Sequence, residues 1–413
     1  MLDQTLDNDI ADPRTYADLA KQHGLYTQMR QNDPLHWTQP EGHRPFWTVT
    51  KHADIMEIER QPDKFLAYPR SKLFPIEYEK KMAAAAGGKP HFGRAISQMD
   101  PPDHKVYRQI AQEWFQPTPI HGLSPKITAL ADRGMKDLLA KAPACDFYKE
   151  IASPYPLRVI MLILGIKDDP VSERKIMDAT ARYFGGTDPE VGKGEGIIEA
   201  TFQYFDYFEP LAKEKRDHPA DDVASLIANA RVNGEPIDPA IAQMYFVALA
   251  GAGHDTTGST SAGGVLAMIQ NPAEWDKLKA NPDLTHAAVE EMIRWVSPVK
   301  HFFRTAKEDY ELRGKTIKAG DNLLLAFPSA NRDEDLFDDP WTFRIDRKPN
   351  RHLGFGFGPH ICLGMALARL ELQIFFKALM PLVRRFELNG EPRWVQTNFV
   401  GGLKTLPVTY ELE

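Results

Sequence analysis

The chain has 413 residues, of which 43% are hydrophobic and 26% charged, the make-up of a folded globular protein rather than of a disordered or fibrous one. A net charge of -7 with a pI near 6.0 argues against general affinity for nucleic acid or anionic membranes, which would need clustered basic residues. Cys145 and Cys362 are the two cysteines, too few for a disulfide framework or a four-thiolate metal site.

The first twenty residues, MLDQTLDNDIADPRTYADLA, carry several acids and no apolar run of signal or membrane-span length, so the chain is expected in the cytoplasm. PFWTVT (Pro45 to Thr50) predicts a strand in a small sheet near the start. Between Tyr68 and Met99 alanine, glycine and proline dominate and no period persists, which predicts a loop with a helical turn inside, a candidate lid. MDPPDHKVYRQIAQEWF then opens a helix, and the pattern stays helical almost throughout to Gln270. No fixed-period repeat and no glycine- or serine-rich linker interrupts the chain, so 1–413 is expected to be a single domain.

IDPAIAQMYFVALAGAGHDTTGSTSAGGVLAMIQNP predicts a very long helix, capped by Asp238 with Pro239 at its first position and stopped at Asn271-Pro272. Its middle holds poor helix formers: Gly251, Gly253, Asp255, Thr256, Thr257 and Gly258. They mark either a place where a second element packs closely, with a kink, or a local opening of the helix ladder toward a cavity.

LTHAAVEEMIRWV predicts a further helix with Val289, Met292, Ile293 and Val296 on its apolar stripe and Glu291 and Arg294 off it. GKTIKAGDNLLLAFP predicts turns and strands. A last long helix follows Cys362, with Leu363, Leu367, Leu370 and Ile374 facing inward and Arg369, Gln373 and Lys377 outward, ending at Pro381. WVQTNFVGGLKTLPVTYEL closes the chain as a hairpin around Gly401-Gly402.

The stretch FGFGPHICLG (Phe355 to Gly364) sets a cysteine among glycines just ahead of a helix. Gly356, Gly358 and Gly364 would let the backbone approach something flat, and the helix N-terminus favours a thiolate at Cys362. A buried thiolate needs a cation, which an iron held in a planar macrocycle would supply. A dinucleotide-binding loop fails because the sixth position from Gly356 is Ile361. A cysteine nucleophile would need a partner histidine, and His360 is adjacent only in sequence. A buried structural cysteine remains open on these residues alone.

FGFGPHICLG also resembles the haem-binding signature of the cytochrome P-450 family, Phe-Gly-x-Gly-x-His-x-Cys-x-Gly, at every fixed position. The resemblance implies a mainly α fold with small β-sheets, a triangular helical prism around a long oxygen-binding helix. It implies haem b as cofactor, with Cys362 as the axial ligand, Phe355 beside the sulfur and His360 at a propionate. His104 and Arg108 in DPPDHKVYR, and Arg304 in FFRTA, would join His360 at the propionates. The family's Glu-x-x-Arg element would be Glu291 and Arg294, completed by Arg347 of FRIDR beneath the cysteine loop. Glu57 to Arg60 fits the same expression, so context has to choose between them.

AGHDTT (Ala252 to Thr257) resembles the family's oxygen-binding groove, with Asp255 and Thr256 as an acid and alcohol pair. Activating dioxygen requires protons delivered inside a water-poor pocket, which suits a carboxylate and a hydroxyl on one helix face. AGHDTT, PSANRDED, PNRHLGFG and TNFVGG together are similar to a bacterial branch of the family that hydroxylates terpineol.

The activity so implied is monooxygenation: one atom of O2 enters an unactivated C-H bond and the other leaves as water. Electrons are expected from an iron-sulfur ferredoxin served by a reductase, docking near Lys105, Lys348, Arg351 and Arg369. The substrate is expected to be small and hydrophobic, a monoterpene or alkyl-substituted aromatic, against Ala248, Gly251, Ala252, Val299, Phe302 and Val400. A peroxide-driven peroxygenase and a non-catalytic haem-thiolate protein are the alternatives, and neither would need the Asp255 and Thr256 pair.

Overall fold

The computed structural model describes residues 4–192 and 196–413. Near the start, Leu35–Thr38 and Phe46–Val49 form an antiparallel hairpin with Trp37 opposite Trp47. Three more strands complete a five-stranded sheet: Asn322–Ala326 beside Phe46–Val49, then His301–Ala306, then Phe65–Leu66. Leu323, Leu324 and Leu325 are all fully buried, because this strand is covered on both faces and a continuous apolar run suits it. A second sheet joins Val383–Leu388, Pro407–Leu412 and Ala144–Asp146.

The long helix spans Pro239–Gln270, 32 residues or about 48 Å at 1.5 Å per residue. Asp238 caps it by accepting from the amides of Ala240 and Ile241. It is helical through its glycine-rich middle. A Cβ at Gly253 would lie 2.3 Å from Ile160 Cδ1, and one at Gly258 would lie 3.1 Å from the Ala152 carbonyl oxygen. These glycines are therefore explained by close packing of the Pro154–Ile163 helix and of the turn Tyr148–Ala152 before it. That turn is π-helical, its extra residue closed by Ser153 N–H bonding to Tyr148 O at 2.9 Å.

Several expectations change. The Tyr68 to Met99 segment contains a ten-residue helix, Ile76–Ala85, rather than one helical turn. The region from Asp103 to Gln270 also includes the strand Ala144–Asp146 and the small hairpin Arg231–Val232 with Glu235–Pro236. In the Thr285–Val296 helix, Glu291 and Arg294 are fully buried although they lie off the apolar stripe. In the last helix, Met365–Leu379, the buried face runs through Leu367, Glu371, Leu372, Phe375, Phe376 and Leu379, while Leu363, Leu370 and Ile374 are half-buried. The sequence pattern misplaced this face because Glu371, a buried carboxylic acid, interrupts the apolar period. Burial pushes that acid well above the ordinary carboxyl range, which favours its neutral form. Among the described residues no helix is long and apolar enough to cross a membrane.

Candidate active site

The cysteine loop is folded by its own backbone. Gly356 and Gly358 adopt φ of +70° and +65°, conformations that other residues rarely take. Cys362 N–H donates to Phe355 O at 2.8 Å, closing the loop just ahead of the Met365–Leu379 helix. A Cβ at Gly358 would lie 2.3 Å from the carbonyl oxygen of Glu59, so this glycine admits the end of the His52–Glu59 helix rather than a flat ligand. Gly364 has neither a positive φ nor a protein neighbour, and a Cβ there would meet nothing within 4 Å.

The Cys362 side chain is exposed, yet it sits amid enough protein for burial to push the thiol up. Both hold if the sulfur faces an enclosed space rather than the outer surface. The Gly364 amide, Arg108 and Arg369 act against the burial and favour the thiolate. Beside the loop, the Arg369 guanidinium stands 4.8 Å over the Phe355 ring and pairs with both oxygens of Glu290 at 2.7 Å.

Four basic groups converge on the same space. The rings of His104 and His360 meet at a tilt of 37° with centroids 4.0 Å apart, and His104 Nε2 is buried without a partner. Burial, then Arg108 and Arg304, pull His104 down to about 4; burial, then Arg304, His104 and Arg108, pull His360 down to about 2. Arg108 donates from Nη2 to Ile361 O at 2.7 Å. Arg304 is held by Glu59, Nη2 to Oε1 at 2.7 Å, a pairing that the sequence did not suggest. Two guanidinium groups against one carboxylate, beside two neutral imidazoles, leave room for more negative charge. A flat group carrying two carboxylates above an open thiol fits this donor set, as haem does.

Glu291, Arg294 and Arg347 come together completely. Arg294 reaches both Glu291 oxygens at 2.7 Å, and Arg347 Nε reaches both at 3.1 Å. The remaining guanidinium protons go to the carbonyls of Asn331, Pro340, Asp338, Asp339 and Thr342. Glu57 and Arg60, which match the same short expression, are both exposed.

On the central helix, Thr256 Oγ1 donates to Ala252 O at 2.6 Å, and Asp255 Oδ1 accepts from Tyr148 Oη at 3.2 Å. Burial raises the Asp255 pKa, while His254 and Tyr148 restrain the rise. Ala252 is open and Ala248 half-open, but Gly251 is buried, and a Cβ there would lie 3.1 Å from the Phe184 ring. Val299 and Val400 form an isolated antiparallel bridge, and Phe302 lies 5.4 Å from Phe399. Phe184 and Phe399, 6.2 Å apart, were missed in the sequence, although Phe399 sits beside Val400 in the hairpin that drew attention. Tyr148 gave no signal, because a π-helical turn has no period of its own.

A family model for cytochrome P450 matches residues 197–412. The chain is 40% identical over 410 residues to cytochrome P450-terp from a Pseudomonas species, covering 96% of this chain and 95% of that one. It is 31% identical to linalool 8-monooxygenase from Pseudomonas putida, over 97% and 98% of the two chains. The crystal structure of CYP108D1 from Novosphingobium aromaticivorans superposes with a TM-score of 0.92 at 37% identity over 100% of both chains. A Mycobacterium marinum cytochrome P450 in complex with pseudoionone superposes with a TM-score of 0.87 at 30% identity, over 94% of this chain and 95% of that one.

The chain belongs to the cytochrome P450 family. It is a haem-thiolate monooxygenase with haem b as its cofactor.

Proposed function

We propose that the chain is one P450 domain that hydroxylates a compact hydrocarbon, a monoterpene or alkyl-substituted aromatic, with electrons from an iron-sulfur ferredoxin. When bound, haem supplies the iron at which dioxygen is activated, with thiolate donation favouring O–O cleavage. In this reading Cys362 is the axial ligand and Phe355 packs beside it. His104, Arg108 and His360 hold the propionates, and Arg304 shares its charge between them and Glu59. The carrying observation is the His104–His360 ring pair at 4.0 Å, with its unpartnered Nε2 and two arginines, beside an open thiol.

In this reading Asp255, its pKa raised by burial, relays protons into the pocket, and the Thr256 hydroxyl, which donates to Ala252 O, serves beside it. Glu291, Arg294 and Arg347 fix the segment beneath the loop. Ala248, Ala252, Val299, Phe302 and Val400 would contact substrate directly, and Gly251 through Phe184. The terpene names of the two curated relatives and the pseudoionone bound by a structural neighbour support the substrate class. For docking, Lys105, Lys348 and Arg351 are exposed and without ion pairs among the described residues, whereas Glu290 neutralises Arg369. Exposed Arg60, 5.1 Å over the Phe357 ring of the loop, joins them.

The test is spectroscopic. The haem-loaded, reduced protein under carbon monoxide should show the red-shifted band of thiolate ligation; a histidine-type spectrum overturns the reading. Thr256→Ala should keep that band but yield less hydroxylated product per electron pair, with peroxide released instead. Small terpenes and alkylarenes should perturb the oxidised haem spectrum, and a response confined to large polar ligands would refute the substrate class.

A further inference from the structure

A cavity of about 180 Å³ lies between the C-terminal half of the central helix, the Leu19–Asn32 helix and the final hairpin, which pairs Arg393–Trp394 with Leu403–Thr405, and no residue of the cysteine loop lines it. Its polar lining comes from Gln22, Ser259, Lys300 and Arg332, and its aromatic walls from Trp295, Trp341 and Trp394. About 10–15 Å³ suffices for one water, so the space is of ligand size.

The charges are unusual for this protein. Among the described residues eight lysines and arginines are buried. Six have a carboxylate partner: Arg30 with Glu334, Lys51 with Asp333, Lys215 with Asp222, Arg304 with Glu59, and Arg294 and Arg347 with Glu291. The other two are Lys300 and Arg332, and both line this cavity. Neither forms an ion pair among the described residues. Lys300 Nζ donates to Ser297 O at 3.1 Å, and Arg332 donates to Trp295 O at 2.7 Å while stacking 4.8 Å over the Trp295 ring.

A buried cation without an anion is costly, and two side by side more so. Burial, then Arg332, pulls Lys300 down to about 7; burial, then Arg294, pulls Arg332 down to about 9. His23, also in the lining, is driven well below its usual range by burial and then by Arg332, Lys300 and Arg30. Both amide atoms of Gln22, the Ser259 hydroxyl and Arg332 Nε are buried without partners. Tryptophan walls, two unanswered cations and spare donors together describe a receptor for a molecule with one anionic end and an apolar body.

We propose that this cavity is a second ligand site, separate from the oxidation pocket, that takes a small organic carboxylate. The carboxylate lies between Lys300 and Arg332, and the hydrocarbon body rests against the tryptophans. The site neighbours the substrate region without entering it: a Cβ at Gly402 would lie 2.4 Å from Ser259 Oγ, on the hairpin that carries Val400.

The experiment titrates haem-loaded protein with benzoate while following tryptophan fluorescence and haem absorbance together. Saturable fluorescence change with an unchanged haem spectrum is expected. Benzamide, of the same shape without the charge, should bind at least tenfold more weakly, and Lys300→Met should weaken benzoate at least tenfold without affecting benzamide. Equal binding of the two probes by the wild type overturns the proposal even if the variant does not fold. So does a crystal of the benzoate-soaked holoprotein in which the cavity holds only ordered water.

Discussion

The Glu291 network and the His104–His360 cluster are both largely buried and rich in basic groups, yet they are completed differently. Around Glu291, two carboxylate oxygens accept from Arg294, Arg347, the Arg344 amide and Asn350, and backbone carbonyls take the arginines' remaining protons. Around His104 and His360, one carboxylate, Glu59, answers two guanidinium groups, and both imidazoles are pushed to their neutral forms. Both clusters set one carboxylate against two guanidinium groups, so the difference lies in hydrogen bonding: the Glu291 cluster is balanced donor for acceptor within the chain and fixes the backbone that carries it. The other keeps a buried nitrogen, His104 Nε2, without a partner and is built to meet one from outside.

The sharpest way to break the contrast is to remove the acid on the balanced side. Glu291→Gln leaves Arg294 and Arg347 buried without a counter-ion, and breaking such a group costs about 3–5 kcal/mol. Urea unfolding should show that loss, with little haem-loaded protein recovered. Glu57→Gln alters the exposed look-alike and should stay within about 0.5 kcal/mol of the parent. On the unbalanced side Arg108→Met should do the reverse. The fold should hold, since a desolvated cation has been removed, while haem retention weakens by about 1.5–3 kcal/mol, the worth of hydrogen bonds to a charged group. Transfer of haem to a scavenger protein should accelerate roughly ten- to a hundredfold. An Arg108→Met protein that keeps its haem as tightly as the parent would remove this residue from the propionate set.

The balanced cluster was only half legible in the sequence. A Glu-x-x-Arg spacing occurs three times, from Glu41, Glu57 and Glu291, and the pattern of apolar residues set Glu291 and Arg294 on the outward side, because periodicity counts a buried ion as a surface residue. Glu371 misled the last helix in the same way. What chain order does carry, it carried well: the capped ends of the Pro239–Gln270 helix depend on Asp238, Pro239 and Pro272, all local signals. The cysteine loop was legible because its chemistry is compressed into ten adjacent residues. The Glu59–Arg304 pair and the unpaired Lys300 and Arg332 were not, since each depends on which distant strand or helix covers it.

The smallest expected effect tests whether the open cluster is filled by acid groups. A histidine held neutral by burial regains its ordinary pKa of about 6.5 on unfolding, so below that pH the unfolded chain binds more protons and stability falls as pH falls. His104 and His360, at about 4 and about 2, each contribute this loss from about pH 6.5 downward, with a limiting slope of about 1.4 kcal/mol per pH unit. Propionates against the ring pair would raise both values and flatten the slope. His23, His52, His91, His254 and His301 are also held low by burial, but they lie outside the cluster and weigh on both forms alike. The difference between haem-free and haem-loaded protein therefore isolates the ring pair. Unfolding free energies measured from pH 7.5 to 5 should fall more steeply without haem, and His360→Gln should remove part of that excess. Parallel curves for the two forms would mean that the imidazoles never meet the carboxylates, and the contrast between the two clusters would lose its functional half.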